Sequence, residues 1–121
     1  MTNIMVLDDV ADAGTLIKRI LERKGYSVAS FTGEEQALAH AAAKRPQLAL
    51  LDIRLKKMTG IAVLQELKKI DPDIKVIMLT GYPTLETARE SMSLGADAYC
   101  VKPIDKDELE TKVAQILSRQ A

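Results

Sequence analysis

Five polar side chains stand where short apolar runs end. Asp8 and Asp9 follow the run through Leu7, Asp52 follows Leu48-Ala49-Leu50-Leu51, Thr80 follows the run through Leu79, and Lys102 follows Val101. A carboxylate at the tip of an apolar strand can be a helix cap, a metal ligand or a nucleophile. As a nucleophile toward phosphorus it forms an acyl phosphate, and Asp52 is the candidate for that role. Three carboxylates within a few ångströms of one another would repel and raise each other's pKa. A cation relieves the repulsion, and an all-oxygen donor set suits Mg²⁺ (or Mn²⁺). Phosphoryl transfer then needs charge stabilisation at the equatorial oxygens. Lys102 can supply a positive charge and Thr80 a hydroxyl donor.

These residues converge only if the apolar runs are neighbouring strands of one parallel sheet. Asn3–Leu7 reads as a buried strand, followed by a helix with Ala13, Leu16, Ile17, Ile20 and Leu21 on one stripe and Gly25 as its stop. Tyr26–Phe31 is a second strand. Thr32 and Glu35 have capping-box spacing before an Ala-rich helix that Pro46 ends. The third strand, Leu48–Leu51, runs into Asp52. The next helix turns Ile61, Leu64, Leu67 and Ile70 inward. Lys75–Leu79 is the fourth strand, and a helix near Thr84–Leu94 carries Leu85, Ala88 and Met92 inward before Gly95. Ala98–Val101 is the fifth strand. The last helix starts at Asp105, pairs it with Glu108 and buries Leu109, Val113, Ile116 and Leu117. Strand and helix alternate five times. This predicts an α/β fold, a doubly wound five-stranded parallel sheet with five helices, flavodoxin-like, in strand order 2-1-3-4-5. In such sheets ligands bind at the carboxyl ends of the strands, which is where the five polar residues lie.

Composition narrows the partners. The 121 residues make one domain, 1–121, with 17 basic and 17 acidic side chains. That balance offers no bulk attraction to nucleic acid or an anionic membrane. Phe31, Tyr26, Tyr82 and Tyr99 are the only aromatics, too few for a base-stacking platform. A single cysteine, Cys100, excludes an internal disulfide and cysteine-type metal spacing. No apolar run approaches the ~20 residues of a membrane span, and no signal peptide is visible. A cytoplasmic location is expected.

Asp8-Asp9, Asp52 with Gly60 eight residues on, Thr80-Gly81, Tyr99 and Lys102-Pro103 together resemble a two-component response regulator receiver domain over Asn3 to about Arg119. The resemblance implies a phosphoacceptor switch. Asp52 would accept the phosphoryl group from a sensor histidine kinase or a histidine phosphotransfer protein. Asp9, Asp52 and the main-chain carbonyl of Arg54 would ligate the metal, with Asp8 acting through bound water. Lys102 would contact the phosphoryl group, Thr80 would be the switch hydroxyl and Tyr99 the aromatic that turns inward. The Lys102–Pro103 bond would be cis. The surface of the fourth helix, fifth strand and fifth helix would change shape, and a homodimer can form through it. Arg54 and Tyr82, two residues beyond Asp52 and Thr80, would tune the lifetime of the acyl phosphate. Their bulk implies slow self-dephosphorylation. Two positions depart from the family pattern, Val10 where an acid is common and Lys56 where proline is usual; neither is a ligand.

Each residue also has a plainer reading. Asp8-Asp9 could cap a helix, Thr80 and Lys102 could be ordinary strand-end residues, and Tyr99 a half-buried strand tyrosine. Lys56-Lys57 and Lys68-Lys69 read as solvated faces, His40 as a surface residue, Cys100 as a buried thiol, and Met58 and Met92 as packing. Two rival functions share the fold. One is a docking module that is never phosphorylated. The other is a metal-dependent phosphohydrolase, which would want an acid where Arg54 stands.

Overall fold

The computed structural model describes residues 2–55 and 58–119. The elements run β1 (Asn3–Leu7), α1 (Ala11–Glu22), β2 (Ser27–Phe31), α2 (Glu34–Lys44), β3 (Leu48–Asp52), α3 (Gly60–Ile70), β4 (Lys75–Thr80), α4 (Leu85–Ser93), β5 (Ala98–Val101) and α5 (Lys106–Ser118). The strands form one sheet in the order β2-β1-β3-β4-β5, and every pairing is parallel. The expected α/β, doubly wound, flavodoxin-like architecture is the observed one.

Alternation along each strand sends successive side chains to opposite faces, and the core divides accordingly. Met5, Leu7, Ala49, Leu51, Val76 and Met78 pack beneath Ala37 and Ala41 of α2 and Ile61, Val63, Leu64 and Leu67 of α3. Ile4, Val6, Leu48, Leu50, Ile77 and Leu79 pack on the other face against Ile17 and Leu21 of α1 and Leu109, Val113 and Ile116 of α5. All of β3 is buried, Asp52 included. A strand covered on both faces has no use for polarity until its last residue, which explains the uninterrupted apolar run.

Several local expectations change. Leu16 lies on the α1 stripe but is 60 % exposed, because the sheet-facing side of that helix runs through Gly14, Ile17 and Leu21. Leu85 and Met92 of α4 face solvent, and Ser91 is the residue that helix buries. The cap of α2 is Gly33, with no side-chain cap bond, so Thr32 and Glu35 form no capping box. The Asp105 carboxylate does accept the Glu108 amide hydrogen at 2.8 Å. Lys68 is not simply solvated; its amine donates to the Ile74 carbonyl at 2.6 Å. His40 packs against Phe31 with ring centroids 4.9 Å apart and planes tilted by 48°, and burial, then Lys44, lowers its pKa. Cys100 is buried, and burial raises its thiol pKa. Lys56 and Lys57 lie outside the described residues.

Candidate functional site

Parallel strands in this order bring the C-terminal ends of β1, β3, β4 and β5 to one edge. The register sets Leu7 beside Leu51, Asp52 beside Leu79 and Thr80 beside Val101. Asp8 and Lys102, separated by 94 positions in sequence, therefore meet: Lys102 Nζ donates to Asp8 Oδ2 at 2.6 Å. The same amine reaches Asp52 Oδ2 at 3.3 Å. The peptide bond after Lys102 is cis, as expected.

The remaining carboxylate oxygens are held by the backbone. Asp8 Oδ1 accepts the Val10 amide hydrogen at 2.9 Å, and Asp52 Oδ1 that of Arg54 at 3.2 Å. Val10 is the cap residue of α1 and offers no side-chain bond, so the acidic pair does not cap the helix through the usual side-chain geometry. Asp8 is 2 % exposed and Asp52 9 %. Burial raises the Asp52 pKa; Lys102 pulls it down and Asp8 pushes it up, and the net shift is upward. Burial works against the Lys102 charge too. Its hydrogen bond to Asp8 and the charges of Asp8 and Asp52 outweigh that, and its pKa is raised.

Asp8, Asp9 and Asp52 each offer a carboxylate oxygen, and these atoms lie within 4.8 Å of one another. Three hard oxygen donors with neither thiolate nor imidazole fit a divalent cation of the Mg²⁺ class. Lys102 alone cannot neutralise three carboxylates, so the cluster has charge left for such an ion.

Gly60 explains its place in the motif. A Cβ there would collide with the Asp52 carbonyl oxygen and the Ile53 Cα. The Gly60 amide donates to the Ile53 carbonyl at 2.8 Å, closing the loop against the candidate nucleophile. A side chain at this position would push Asp52 out of register.

The other side of the site is built from β4, β5 and the start of α4. Thr80 is 1 % exposed, and its Oγ1 accepts the Tyr82 amide hydrogen at 3.0 Å. No hydrogen bond among the described residues joins Thr80 to Asp52. Tyr99 is half-buried, and its hydroxyl reaches into the first turn of α4. It pairs with Thr87 Oγ1 at 2.7 Å and accepts the Thr84 amide hydrogen at 3.3 Å. Thr84 is the cap of that helix, accepting the Thr87 amide hydrogen at 3.0 Å. Sequence reasoning singled out neither threonine as a partner of Tyr99. The only signal was a Thr-x-x-Thr spacing at a helix start, which says nothing about an aromatic 12 positions later.

A family model described as the response regulator receiver domain matches residues 4–114, nearly the whole chain. The chain belongs to that family. It is 35 % identical over 114 residues to sporulation initiation phosphotransferase F of Bacillus subtilis (strain 168), covering 94 % of this chain and 92 % of that protein. It is 36 % identical over 116 residues to the transcriptional regulatory protein ZraR of Escherichia coli (strain K12), covering 96 % of this chain but 26 % of ZraR. The chain thus spans about a quarter of the length of that relative. A CheY-like receiver domain protein from Methanospirillum hungatei JF-1 superposes with a TM-score of 0.94 at 36 % identity, covering 98 % of this chain and 94 % of that one. Receiver domains of two-component systems take phosphoryl groups from histidine kinases or phosphotransfer proteins. Among the described residues, no helix is long and apolar enough to cross a membrane.

Proposed function

We propose that this receiver domain works as a phosphorylation-activated switch with Asp52 as its phosphoacceptor. The observation that carries the reading is the geometry of Asp52: a buried carboxylate at a strand tip, 3.3 Å from the Lys102 amine and within 4.8 Å of the Asp8 and Asp9 oxygens. An Asp52 oxygen attacks phosphorus, the P–N bond of a partner's phosphohistidine breaks, and the imidazole nitrogen keeps the electron pair. Lys102 balances charge on the incoming group, and its bond to Asp8 holds the amine at the sheet edge. Asp9, Asp52 and the Arg54 main-chain carbonyl would hold Mg²⁺ (or Mn²⁺), with Asp8 acting through water. The ion supplies charge neutralisation at the phosphoryl oxygens.

The new dianion sits one strand from Thr80. Turning the Thr80 hydroxyl toward it draws the loop after β4 inward and disturbs the Tyr99 contacts with Thr84 and Thr87. The face made by α4, β5 and α5 then changes, a local charge event read by a helix that is easily moved. Leu85, Met92 and Val101, 66 %, 49 % and 49 % exposed, give that face apolar surface for a target or a second copy. The working location is the cytoplasm. Arg54 and Tyr82 shield the acyl phosphate and slow its hydrolysis.

The test is phosphorylation by acetyl phosphate with Mg²⁺, followed by intact mass and by NMR with fluoroberyllate. Incorporation that Asp52→Asn abolishes, with shifts around Thr80 and Tyr99, is the expected result. One similar solved structure is described as the BeF3-activated DrrB receiver domain, which makes fluoroberyllate a suitable probe. No shifts would favour a passive docking module, and multiple turnover of unrelated phosphate esters a hydrolase. Faster phosphate loss in Arg54→Ala or Tyr82→Ala would support the shielding role, and unchanged loss in both would remove it.

A further inference from the structure

Arg54 and Tyr82 belong to different loops, one after β3 and one after β4, yet their side chains meet. The guanidinium carbon lies 4.3 Å from the centroid of the Tyr82 ring. Tyr82 is 69 % exposed and Arg54 is exposed. Two side chains free to extend into water are instead stacked on one another. Beneath the stack, their amides are engaged as well. The Arg54 amide donates to Asp52 Oδ1 at 3.2 Å, and the Tyr82 amide donates to Thr80 Oγ1 at 3.0 Å. The stack therefore ties together the two residues whose backbones hold the phosphoacceptor and the switch hydroxyl.

We propose that the Arg54–Tyr82 stack is a clasp between these loops, and that a phosphoryl group on Asp52 opens it by drawing the Arg54 guanidinium off the ring. The proposal rests on the assignment of Asp52 as phosphoacceptor. Its physical basis is a competition for one cation. A guanidinium on an exposed aromatic face is weakly held. A charge-assisted hydrogen bond to a phosphoryl dianion is stronger, and the planar fork of arginine matches phosphate oxygens. The dianion arises on the very carboxylate that the Arg54 amide already bonds. Once the cation leaves, Tyr82 no longer anchors the loop that follows Thr80. In the free domain the ring competes with the phosphoryl group, so the clasp opposes modification.

The competition can be watched directly by NMR of the whole chain. In the free protein the Arg54 side-chain protons are displaced by the ring current of Tyr82. Tyr82→Ala removes the displacement and Tyr82→Phe retains it. Saturation with Mg²⁺ and fluoroberyllate moves the wild-type Arg54 signals to the Tyr82→Ala positions. Tyr82→Ala also tightens fluoroberyllate binding about two- to fivefold, the range of an exposed cation–π contact. In an Arg54→Ala background Tyr82→Ala leaves that affinity unchanged. If fluoroberyllate binds while the Arg54 signals keep their ring-current displacement, the clasp does not open. The proposal then falls and the phosphoacceptor assignment stands. An equal Tyr82→Ala effect with and without Arg54 overturns it too. If fluoroberyllate does not bind at all, the assignment fails and the clasp fails with it.

Discussion

Helices α3 and α4 begin alike and are held very differently. Each follows a strand that ends in a residue of the candidate site, Asp52 for α3 and Thr80 for α4. Each starts on a threonine cap: Thr59 accepts the Ala62 amide hydrogen, and Thr84 that of Thr87. There the likeness stops. Helix α3 buries Gly60, Ile61, Val63, Leu64 and Leu67. Helix α4 buries Ser91 alone, and the Ser91 Oγ has no hydrogen-bond partner among the described residues. Burying one large aliphatic side chain contributes about 1.5–3 kcal/mol. By that measure α3 is anchored several times over, whereas α4 leans on polar contacts at its first turn, the Tyr99 hydroxyl among them. The domain anchors the side that follows Asp52 and leaves the side that follows Thr80 with few buried contacts to hold it.

That contrast can be broken at several points. The largest effect is expected from Leu64→Ala, which should cost about 2–5 kcal/mol in urea unfolding as a large-to-small change at a fully buried position. A loss under about 1 kcal/mol would mean α3 is no anchor. Gly60→Ala should cost about 1–3 kcal/mol, the range for overpacking, and should also weaken phosphorylation because Asp52 is displaced. Retained stability and retained phosphorylation together would remove Gly60 as the support of the nucleophile.

Asp52→Asn tests the electrostatics of the fixed side. Burial raises the Asp52 pKa above its unfolded value. The group's contribution is therefore fully present below the unfolded pKa and is lost as pH rises through the folded one. At neutral pH the ionised carboxylate is a net cost. In chelator, Asp52→Asn should be more stable than wild type at neutral pH, and the advantage should shrink as pH falls into the carboxylate range. An advantage that is absent, or that grows in acid, would contradict a burial-dominated shift.

On the loose side the effects should be smaller. Ser91→Ala removes a buried hydroxyl that has no hydrogen-bond partner among the described residues and should stabilise the domain by about 1 kcal/mol. A loss of similar size would show that the hydroxyl is satisfied in solution. Leu85→Ala should change stability by no more than about 0.5 kcal/mol, as for an exposed site, while weakening any association through the α4 face. Hydrogen exchange sharpens the comparison without mutation: α4 amides should open sooner than those of α3. Equal protection would dissolve the distinction.

Much of this protein is legible in its sequence. The short apolar runs at Leu48–Leu51 and Val76–Leu79 read as covered strands, and their alternation with helical patterns specified a parallel doubly wound sheet. From that topology alone Asp8, Asp52, Thr80 and Lys102 had to share an edge, because parallel strands put all their C-terminal ends together. Periodicity is a property of the chain, and it reports which residues want to leave water. It does not report how much partner surface awaits them, and for that reason Leu16, Leu85 and Met92 read as core yet remain exposed. Contacts between distant loops are hidden for the same reason. The Lys102 amine choosing Asp8 at 2.6 Å over Asp52 at 3.3 Å, the Tyr99 hydroxyl on Thr87, and the Arg54 guanidinium on the Tyr82 ring depend on ångström-scale placement that residue types do not encode. The sequence by itself determined the sheet, the edge and the chemistry available there. Only the tertiary structure decided which groups touch, and so which side of the site is fixed and which can yield.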